Sequence, residues 1–322
     1  MNLPLYQDLR ESAHRSLDAA QNPKRIILIH TGVVVLVSLA LMLADYLLEQ
    51  QIGSTGGLGG LGTRSVLETI RAVLQIAQLI ILPFWQMGYL YYTLKLAQGE
   101  DVGTAGLTEG FRRFGPILRL KIMMGVVLFP AVIASYYLAS VIFMFTPWSA
   151  PLLEIFEPMM NGTMEPDAML ELYQTMPPET ITSLMVIFVI CLVALLIPIY
   201  YRYRMAELWL LDHPGHGALA SMFFSRKMMK GNCMAVFKID LHFWWFFLMD
   251  LGVTILLYGD MLLNSFGISL PISSDLAFYL FFVLYLVAQL GLSYWRQNEV
   301  SVSYAHLYES LKPTEEEPRP TP

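Results

Sequence analysis

The uncharged stretch at residues 180–201, TITSLMVIFVICLVALLIPIYY, lies between Glu179 and Arg202 and decides the fold class. A helix needs about 20 apolar residues to cross a hydrocarbon core roughly 30 Å thick, and this stretch is long enough to do so. Another apolar stretch follows Lys238 but is interrupted by aspartates. Similar uncharged stretches occupy residues 26–44, 72–94, 122–153 and 276–295. The sequence therefore predicts an all-α, polytopic transmembrane helical bundle.

The composition supports a membrane protein. Hydrophobic residues make up 56% of the 322 residues and charged residues 14%, whereas average proteins have about 25% charged residues. The mean hydropathy is +0.53. A net charge of −6 argues against a nucleic-acid partner. The two cysteines, Cys191 and Cys233, are too few for a disulfide framework and lack zinc-site spacing.

The distribution of basic residues predicts the topology. With six spans and a cytoplasmic N-terminus, 18 of the 20 lysines and arginines fall in cytoplasmic segments, and only Arg64 and Arg71 lie outside. The positive-inside rule favours this arrangement, with both termini in the cytoplasm. We expect one membrane domain at residues 1–312 and a disordered acidic, proline-rich tail at residues 313–322. The six predicted spans are residues 26–48, 72–97, 118–147, 180–203, 235–262 and 276–297.

A short amphipathic stretch with a basic polar side precedes the first, third and fifth spans. These stretches end at the helix breakers Asn22-Pro23, Gly115-Pro116 and Gly231-Asn232. Basic amphipathic helices lie at anionic membrane surfaces, so the predicted partners include anionic lipid headgroups at the cytoplasmic face. A repeat unit of one surface helix and two spans crosses the membrane twice, so successive copies have the same orientation. The sequence therefore predicts three hairpins, each preceded by a cytoplasmic surface amphipathic helix. Convergent composition at the membrane interface is the alternative explanation.

Two aspartates of the fifth span form a candidate intramembrane polar site. Asp250 lies near the middle of the span, where an acidic residue costs roughly 2.5–3.5 kcal/mol on insertion scales. It is either a site for a coupling ion or proton, or a hydrogen-bonded packing residue. Asp240 lies near the cytoplasmic boundary, where a local ion pair with Lys238 and His242 or anchoring of the third surface helix also explains it. In one continuous helix the two aspartates lie about 80° apart and form no dyad.

A candidate ionic cluster lies at the cytoplasmic ends of the fourth and sixth spans. Its members are Arg202, Arg204, Glu207, Arg296 and Glu299. The Arg-x-x-Glu spacing at 204/207 and at 296/299 places the two side chains of each pair on one helix face. The cluster is either a set of structural salt bridges with snorkelling arginines, or a pocket for an anion or lipid headgroup.

Catalytic motifs are absent from the sequence. It contains no Walker lysine loop, nucleophile elbow, zincin motif or dinucleotide fingerprint. Asp212, His213 and His216 offer a metal trio, but the intervening Pro214 and Gly215 favour a plain turn. We therefore predict no catalytic residue, no metal site and no cofactor.

A longer pattern extends through residues 204–309. It comprises Arg204, Leu211-Asp212-His213-Pro214, Ala218, Ser221, Met229-Lys230-Gly231, Phe237, Asp240, Phe243 and the ending Tyr304-Ala305-His306-Leu307-Tyr308-Glu309. This pattern resembles the bacterial integral-membrane family called domain of unknown function 975, mainly over residues 200–310. Trp244, Trp245 and Asp250 depart from the family's usual residues, so no role is carried onto them. The resemblance implies a multi-pass protein of the bacterial plasma (inner) membrane, with no established activity.

These observations favour a non-catalytic scaffold or accessory component of an envelope or transport assembly, with a membrane-protein partner. The first alternative is a small-solute or ion transporter or conduit that uses Asp250 and the Arg204/Glu207/Arg296/Glu299 group. The lesser alternative is an enzyme that modifies lipids.

Overall fold

The structure of the protein is a computed structural model that describes residues 6–54, 61–151, 177–259, 263 and 274–313. Within these ranges the chain is helical and contains no strand. The predicted disordered tail at residues 313–322 lies outside them, apart from Pro313. The fold class predicted from the sequence is therefore confirmed as all-α.

The described helices range in length from 7 to 37 residues. A 3-10 turn at Pro147–Ser149 follows the fifth helix, and a π-helical turn at Ser293–Gln297 joins the last two. The helices are α1 (Tyr6–Ala19), α2 (Pro23–Ser54), α3 (Leu61–Ala97), α4 (Ala105–Arg112), α5 (Phe114–Met144), α6 (Pro178–Tyr203), α7 (Ala206–Asp212), α8 (Ala218–Met229), α9 (Cys233–His242), α10 (Trp244–Leu256), α11 (Ser274–Leu292) and α12 (Asn298–Leu311).

Within the described ranges, five helical stretches are long and apolar enough to cross a membrane. Large apolar side chains on them are exposed, as expected of surfaces that face lipid; examples are Leu36, Leu79 and Val126. The stretches are Pro23–Leu48, Arg64–Ala97, Phe114–Met144, Glu179–Asp212 and Leu276–Leu311. Several helices of this chain therefore have the length and composition of membrane spans.

The predicted span at residues 235–262 differs from a simple helix. Its described part consists of α9 and α10, which are bent by 65° relative to each other and together have the composition of one span. At the bend the amide of Phe243 donates to the carbonyl oxygen of Asp240 at 3.0 Å. Because the helix is not continuous, the 80° relation expected between Asp240 and Asp250 does not hold.

The predicted helix breakers act as expected at two of three places. Asn22 has a φ of 58° and Gly231 a φ of 84°, and this left-handed conformation is typical of helix ends. The third break lies at Arg113, with φ −102° and ψ 30°. Gly115-Pro116 instead falls in the first turn of α5, where a proline removes no helical hydrogen bond.

The helices pack in a regular order. Each long helix packs on its neighbour in sequence: α2 on α3, α5 on α6 and α10 on α11. The short helix α4 packs on the end of α3, and α8 packs on α7, which follows α6. The first helix, α1, packs on the last one, α12. We call α1, α4, α7, α8 and α12 the basal layer.

The crossing of α3 and α4 brings two backbones into direct contact. A Cβ atom at Gly88 would lie 1.9 Å from the carbonyl oxygen of Leu107, and one at Gly110 would lie 2.0 Å from the carbonyl oxygen of Phe84. Only glycine fits at these two positions. The contact fixes α4 against α3.

The core lies in the basal layer and in the adjoining ends of the long helices. Tyr92, Met205, Leu210, Phe243 and Tyr308 are each at most 2% exposed. Such close packing holds the ends of the long helices in fixed positions. The polar side chains described next project from these ends.

Candidate functional site

A cavity of about 550 Å³ lies between α2, α3, α6, α7, α10 and the α11–α12 segment. Its volume falls in the range typical of small-molecule sites, roughly 300–1,000 Å³. The polar and charged side chains in its wall are His30, Thr31, Ser38, Gln86, Arg204, Glu207, Asp250, Gln289, Ser293, Gln297 and Ser301, together with the hydroxyls of Tyr200, Tyr285 and Tyr304. The cavity thus joins polar residues from most of the candidate spans.

Three polar side chains of the wall are buried without a hydrogen-bond partner among the described residues. They are the Nδ1 atom of His30 and the hydroxyls of Thr31 and Ser293, and each of these residues is at most 5% exposed. The His30 ring is held by stacking on Tyr89, with ring centroids 4.5 Å apart. An unsatisfied buried polar group costs about 1–3 kcal/mol. Three such groups lie in the wall of one cavity, and each needs an explanation.

Asp250 also lines this cavity. It lies one helical turn after Phe246 and Phe247 on α10, and all three contribute to the wall. Its carboxylate is close enough to Tyr285 on α11 to interact with it electrostatically. In the part of the chain that the structure describes, the carboxylate has no ion pair, while the backbone oxygen of Asp250 accepts a hydrogen bond from Thr254 at 2.9 Å.

Asp240 is bound by side chains from two other helical segments. Its Oδ2 atom pairs with Nη1 of Arg204 and accepts a hydrogen bond from the hydroxyl of Tyr201. Its Oδ1 atom accepts a hydrogen bond from the hydroxyl of Tyr304 at 2.5 Å. The guanidinium carbon of Arg204 lies 4.4 Å from the centroid of the Tyr304 ring. We call these four residues the Asp240 group.

The Asp240 group differs from the local pairing that the sequence suggested. The imidazole of His242 contacts the carbonyl oxygen of its own helix at Lys238, at 2.7 Å, and stacks on Tyr6 with centroids 4.7 Å apart. Asp240 instead binds Arg204, which is distant in sequence. The sequence named both charged residues as candidates but did not pair them.

The predicted ionic cluster is divided into separate contacts, and Arg204 and Glu207 are not paired with each other. Glu207 forms an ion pair with Lys121 of α5. The reason lies in the backbone: α6 ends at Tyr203 and α7 begins at Ala206. Because Arg204 lies in this break, the continuous-helix geometry behind the Arg-x-x-Glu prediction does not apply.

The second Arg-x-x-Glu pair does form. Arg296 binds Glu299, which also accepts a hydrogen bond from Nε of Arg10 at 2.5 Å. His14 lies 3.5 Å from the same carboxylate. The Glu299 side chain is 8% exposed, so it joins α1 to α12 as a buried anchor. Arg202, the remaining member of the predicted cluster, is exposed.

A further polar group was not predicted. Asp212 at the end of α7 accepts hydrogen bonds from the amide of Gln98 at 2.8 Å and from the hydroxyl of Tyr308 at 2.9 Å. It also pairs with Lys312 at 2.6 Å. This group ties the ends of α3, α7 and α12 together.

Two basic side chains outside the candidate spans have shifted pKa values. The hydrogen bond and charge of Glu299 raise the pKa of Arg10. Burial lowers the pKa of His213, although the charge of Asp212 opposes this effect. Arg10 therefore remains charged in its contact with α12, and His213 favours its neutral form.

Metal-ligating residues are not grouped in the described ranges: no three His, Cys, Asp or Glu side chains are placed to share an ion. Residues 213–217 form the turn expected from Pro214 and Gly215. The His213 ring stacks on Trp209, with centroids 3.9 Å apart. The predicted turn is confirmed.

Sequence reasoning missed the cavity residues His30, Thr31 and Ser293. The available signal was the His-Thr dipeptide near the start of an otherwise apolar run at residues 26–44, since polar residues inside a span are rare without a purpose. Ser293 gave no comparable signal. Ser293 is the first residue of the π-helical turn at Ser293–Gln297, and no feature of the sequence marks this turn.

Comparison with curated proteins and with solved structures gives no match. A sequence model of the family described as "Protein of unknown function (DUF975)" matches residues 7–283. The match extends far upstream of the resemblance noted at residues 200–310, and the ending at residues 304–309 lies beyond it. Because it covers most of the 322 residues, the chain belongs to this family.

Proposed function

We propose that the chain is a multi-pass protein of the bacterial plasma (inner) membrane that binds a small polar solute in the central cavity and transports or conducts it. The observation that carries this proposal is the set of unpartnered polar groups at His30, Thr31 and Ser293 around one cavity of about 550 Å³. In a bilayer, polar groups are tolerated where they line a cavity that contains water or a ligand. The proposal includes no catalytic step.

The proposed topology has six spans, arranged as three parallel hairpins, each preceded by a surface helix on the cytoplasmic side. The fifth of these spans is the bent pair of α9 and α10. Two observations support it: the pairwise packing of the long helices and the equivalent positions of α1, α4 and α8 in the basal layer. With this topology the basal layer lies at the cytoplasmic face, where the positive-inside rule places basic residues.

Anionic lipids are the proposed partners of the basal layer. Arg112 on α4 is 78% exposed at its side chain, and Arg226 and Lys230 near the end of α8 are exposed as well. Exposed basic residues next to apolar surface attract anionic headgroups by about 1 kcal/mol each.

A thiol-labelling experiment tests the cavity. In a background without Cys191 and Cys233, Ser293→Cys places a thiol in the cavity wall, and Ser135→Cys is the matched control. Ser135 is equally buried but bonds to its own helix at the oxygen of Ala131, at 2.7 Å, and does not line the cavity. We expect a water-soluble methanethiosulfonate reagent to modify Ser293→Cys within minutes while Ser135→Cys stays unmodified. Equal protection of both thiols would contradict the proposal.

Transport is measured separately in proteoliposomes. Release of trapped small solutes through the wild-type protein, and its loss in Asp250→Asn, supports a transporter or conduit.

Reporter fusions at residue 1 and after residue 312 test the topology, and opposite locations would overturn it.

A scaffold or accessory component is the second candidate. It is favoured by one observation: Arg204, Glu207, Arg296 and Glu299 all form internal ion pairs. On this candidate these residues serve packing rather than an anion pocket. A reconstituted protein that passes no solute but co-purifies with one membrane partner supports this candidate against the first.

A further inference from the structure

The charges around the cavity do not balance. Three formally charged side chains line it: Arg204, Glu207 and Asp250. Arg204 is neutralised by Asp240 and Glu207 by Lys121. Among the described residues, Asp250 has no such partner. The charge left for a ligand to neutralise is therefore negative.

The surroundings of Asp250 suit an organic cation rather than a hydrated metal ion. Phe246 and Phe247 lie one turn before it on the same helix, and Tyr285 faces it from α11. Aromatic rings attract ammonium groups through their negative faces, by about 0.5–2 kcal/mol each. No further carboxylate of the described wall is free to help coordinate a metal ion.

Neutral polar groups form another part of the cavity wall. Ser293 follows Tyr285 by eight residues on one helical segment, or about 12 Å at 1.5 Å per residue. Its unpartnered hydroxyl, with that of Thr31 and Nδ1 of His30, offers hydrogen bonds without a charge. The cavity wall therefore has an anionic aromatic part and neutral hydrogen-bonding groups, besides the ion-paired Arg204 and Glu207.

We infer that the cavity binds an organic ammonium ion, with the cationic nitrogen at Asp250, Phe246, Phe247 and Tyr285 and a neutral polar group at Ser293, Thr31 and His30. This inference rests on the proposed function and names its solute class. The same ammonium chemistry is present in free amines and in zwitterionic lipid headgroups.

The rates of two thiol reagents test the sign of the charge. In the Ser293→Cys background without native cysteines, the trimethylammonium-ethyl and sulfonato-ethyl methanethiosulfonates are compared, each relative to its rate with 2-mercaptoethanol. We expect the cationic reagent to react faster. We expect Asp250→Asn to reduce this preference by about tenfold, because a unit charge in the same cavity acts with opposite sign on the two reagents. Asp250→Glu preserves the charge and the preference, as does Asp18→Asn on the exposed face of α1.

Protection by choline tests the ligand class. In vesicles of phosphatidylglycerol alone, we expect choline to slow the labelling of Ser293→Cys by the sulfonato-ethyl reagent. Its uncharged isostere 3,3-dimethylbutan-1-ol is expected to have no such effect. We expect about tenfold weaker protection in Asp250→Asn, equal to about 1.4 kcal/mol of binding free energy. Protection that appears on adding phosphatidylethanolamine without choline assigns the ammonium group to a lipid headgroup.

The outcomes separate this inference from the proposed function. If the thiol at position 293 does not react with either reagent, the solute cavity itself is wrong. If it reacts without preference for the cation, or if choline and its isostere protect equally, the cavity remains and the ammonium inference is overturned. A well-folded Asp250→Asn protein that keeps the wild-type preference also overturns it.

Discussion

Replacement of Asp240 by asparagine tests whether the Asp240 group stabilises the fold as the structure indicates. Asparagine has nearly the same shape as aspartate and still accepts a hydrogen bond from Tyr304 or Tyr201. It removes the negative charge and replaces one of the two acceptor oxygens by an amide nitrogen, which donates hydrogen bonds. Arg204 is then left without its counter-ion at a position where its side chain is 13% exposed.

The size of the effect follows from that burial. Removing one partner of a buried ion pair costs about 3–5 kcal/mol, because the remaining charge is desolvated and unpaired. One tyrosine hydroxyl exchanges a charged acceptor for a neutral one and the other loses its acceptor, at about 1 kcal/mol each. At about 2 °C for each kcal/mol in a large chain, this total of about 5–7 kcal/mol lowers the melting temperature of Asp240→Asn by about 10–14 °C.

The assay is thermal unfolding of the detergent-solubilised protein, read by the elution of monodisperse protein after heating. Glu68→Gln is the control, because Glu68 pairs with Arg64 at a site where both side chains are more than half exposed. Such a surface pair contributes about 0–1 kcal/mol, so the control melts close to wild type. Combining Asp240→Asn with Arg204→Met removes the stranded charge, and we expect it to recover at least half of the loss.

Two results would refute this reasoning. One is a melting temperature of Asp240→Asn that equals that of Glu68→Gln. The other is a double variant whose loss equals the sum of the two single losses, since additivity means that the two charges do not interact.

Three other perturbations have expected outcomes. Gly88→Ala forces apart two contacting backbones and costs about 1–3 kcal/mol of stability. Gly125 has open space around it, so we expect Gly125→Ala to melt at the wild-type temperature. Equal melting temperatures of the two variants would contradict the close crossing of α3 and α4. Arg10→Ala is expected to release α1, measured as faster proteolysis of that helix. The Arg15 side chain is 77% exposed, so Arg15→Ala is expected to leave the proteolysis rate unchanged. Equal rates in the two variants would argue against Glu299 as the anchor of α1. Burial lowers the pKa of His213 from 6.5, so the unfolded chain binds a proton at a higher pH than the folded chain does. Stability therefore falls as the pH drops below about 6.5. We expect His213→Gln to reduce the fall in melting temperature between pH 7.5 and 5.5, and an unchanged fall would contradict this.

The sequence predicts the helices of this fold well, because hydrophobic run length is a local property. The uncharged runs at 180–201 and 276–295 correspond to α6 and α11. Two irregularities escaped prediction: the bend at Phe243 and the π-helical turn at Ser293–Gln297. Neither bend nor turn contains a proline or a glycine, so both depend on how neighbouring helices pack.

The candidate site is predicted in part. Asp250, Arg204 and Glu207 all line the cavity. The cost of burying charge in a span identified Asp250, and the Arg-x-x-Glu spacing in the ionic cluster identified Arg204 and Glu207. Their partners were missed, because Lys121 is 86 residues from Glu207 in sequence. Nothing local to either residue specifies such a pair. It follows from the order in which the helices pack.

The seating of α1 on α12 has a consequence for biosynthesis. Arg10 and Glu299 lie 289 residues apart, which corresponds to about 15–60 s of translation at 5–20 residues per second. During this delay the newly made amphipathic segment lacks its main docking partner, α12, although α3, which it also contacts, is already made. Its apolar side then rests at the lipid interface until the closing helix emerges. Complete docking of α1 therefore has to wait for a helix made 289 residues later.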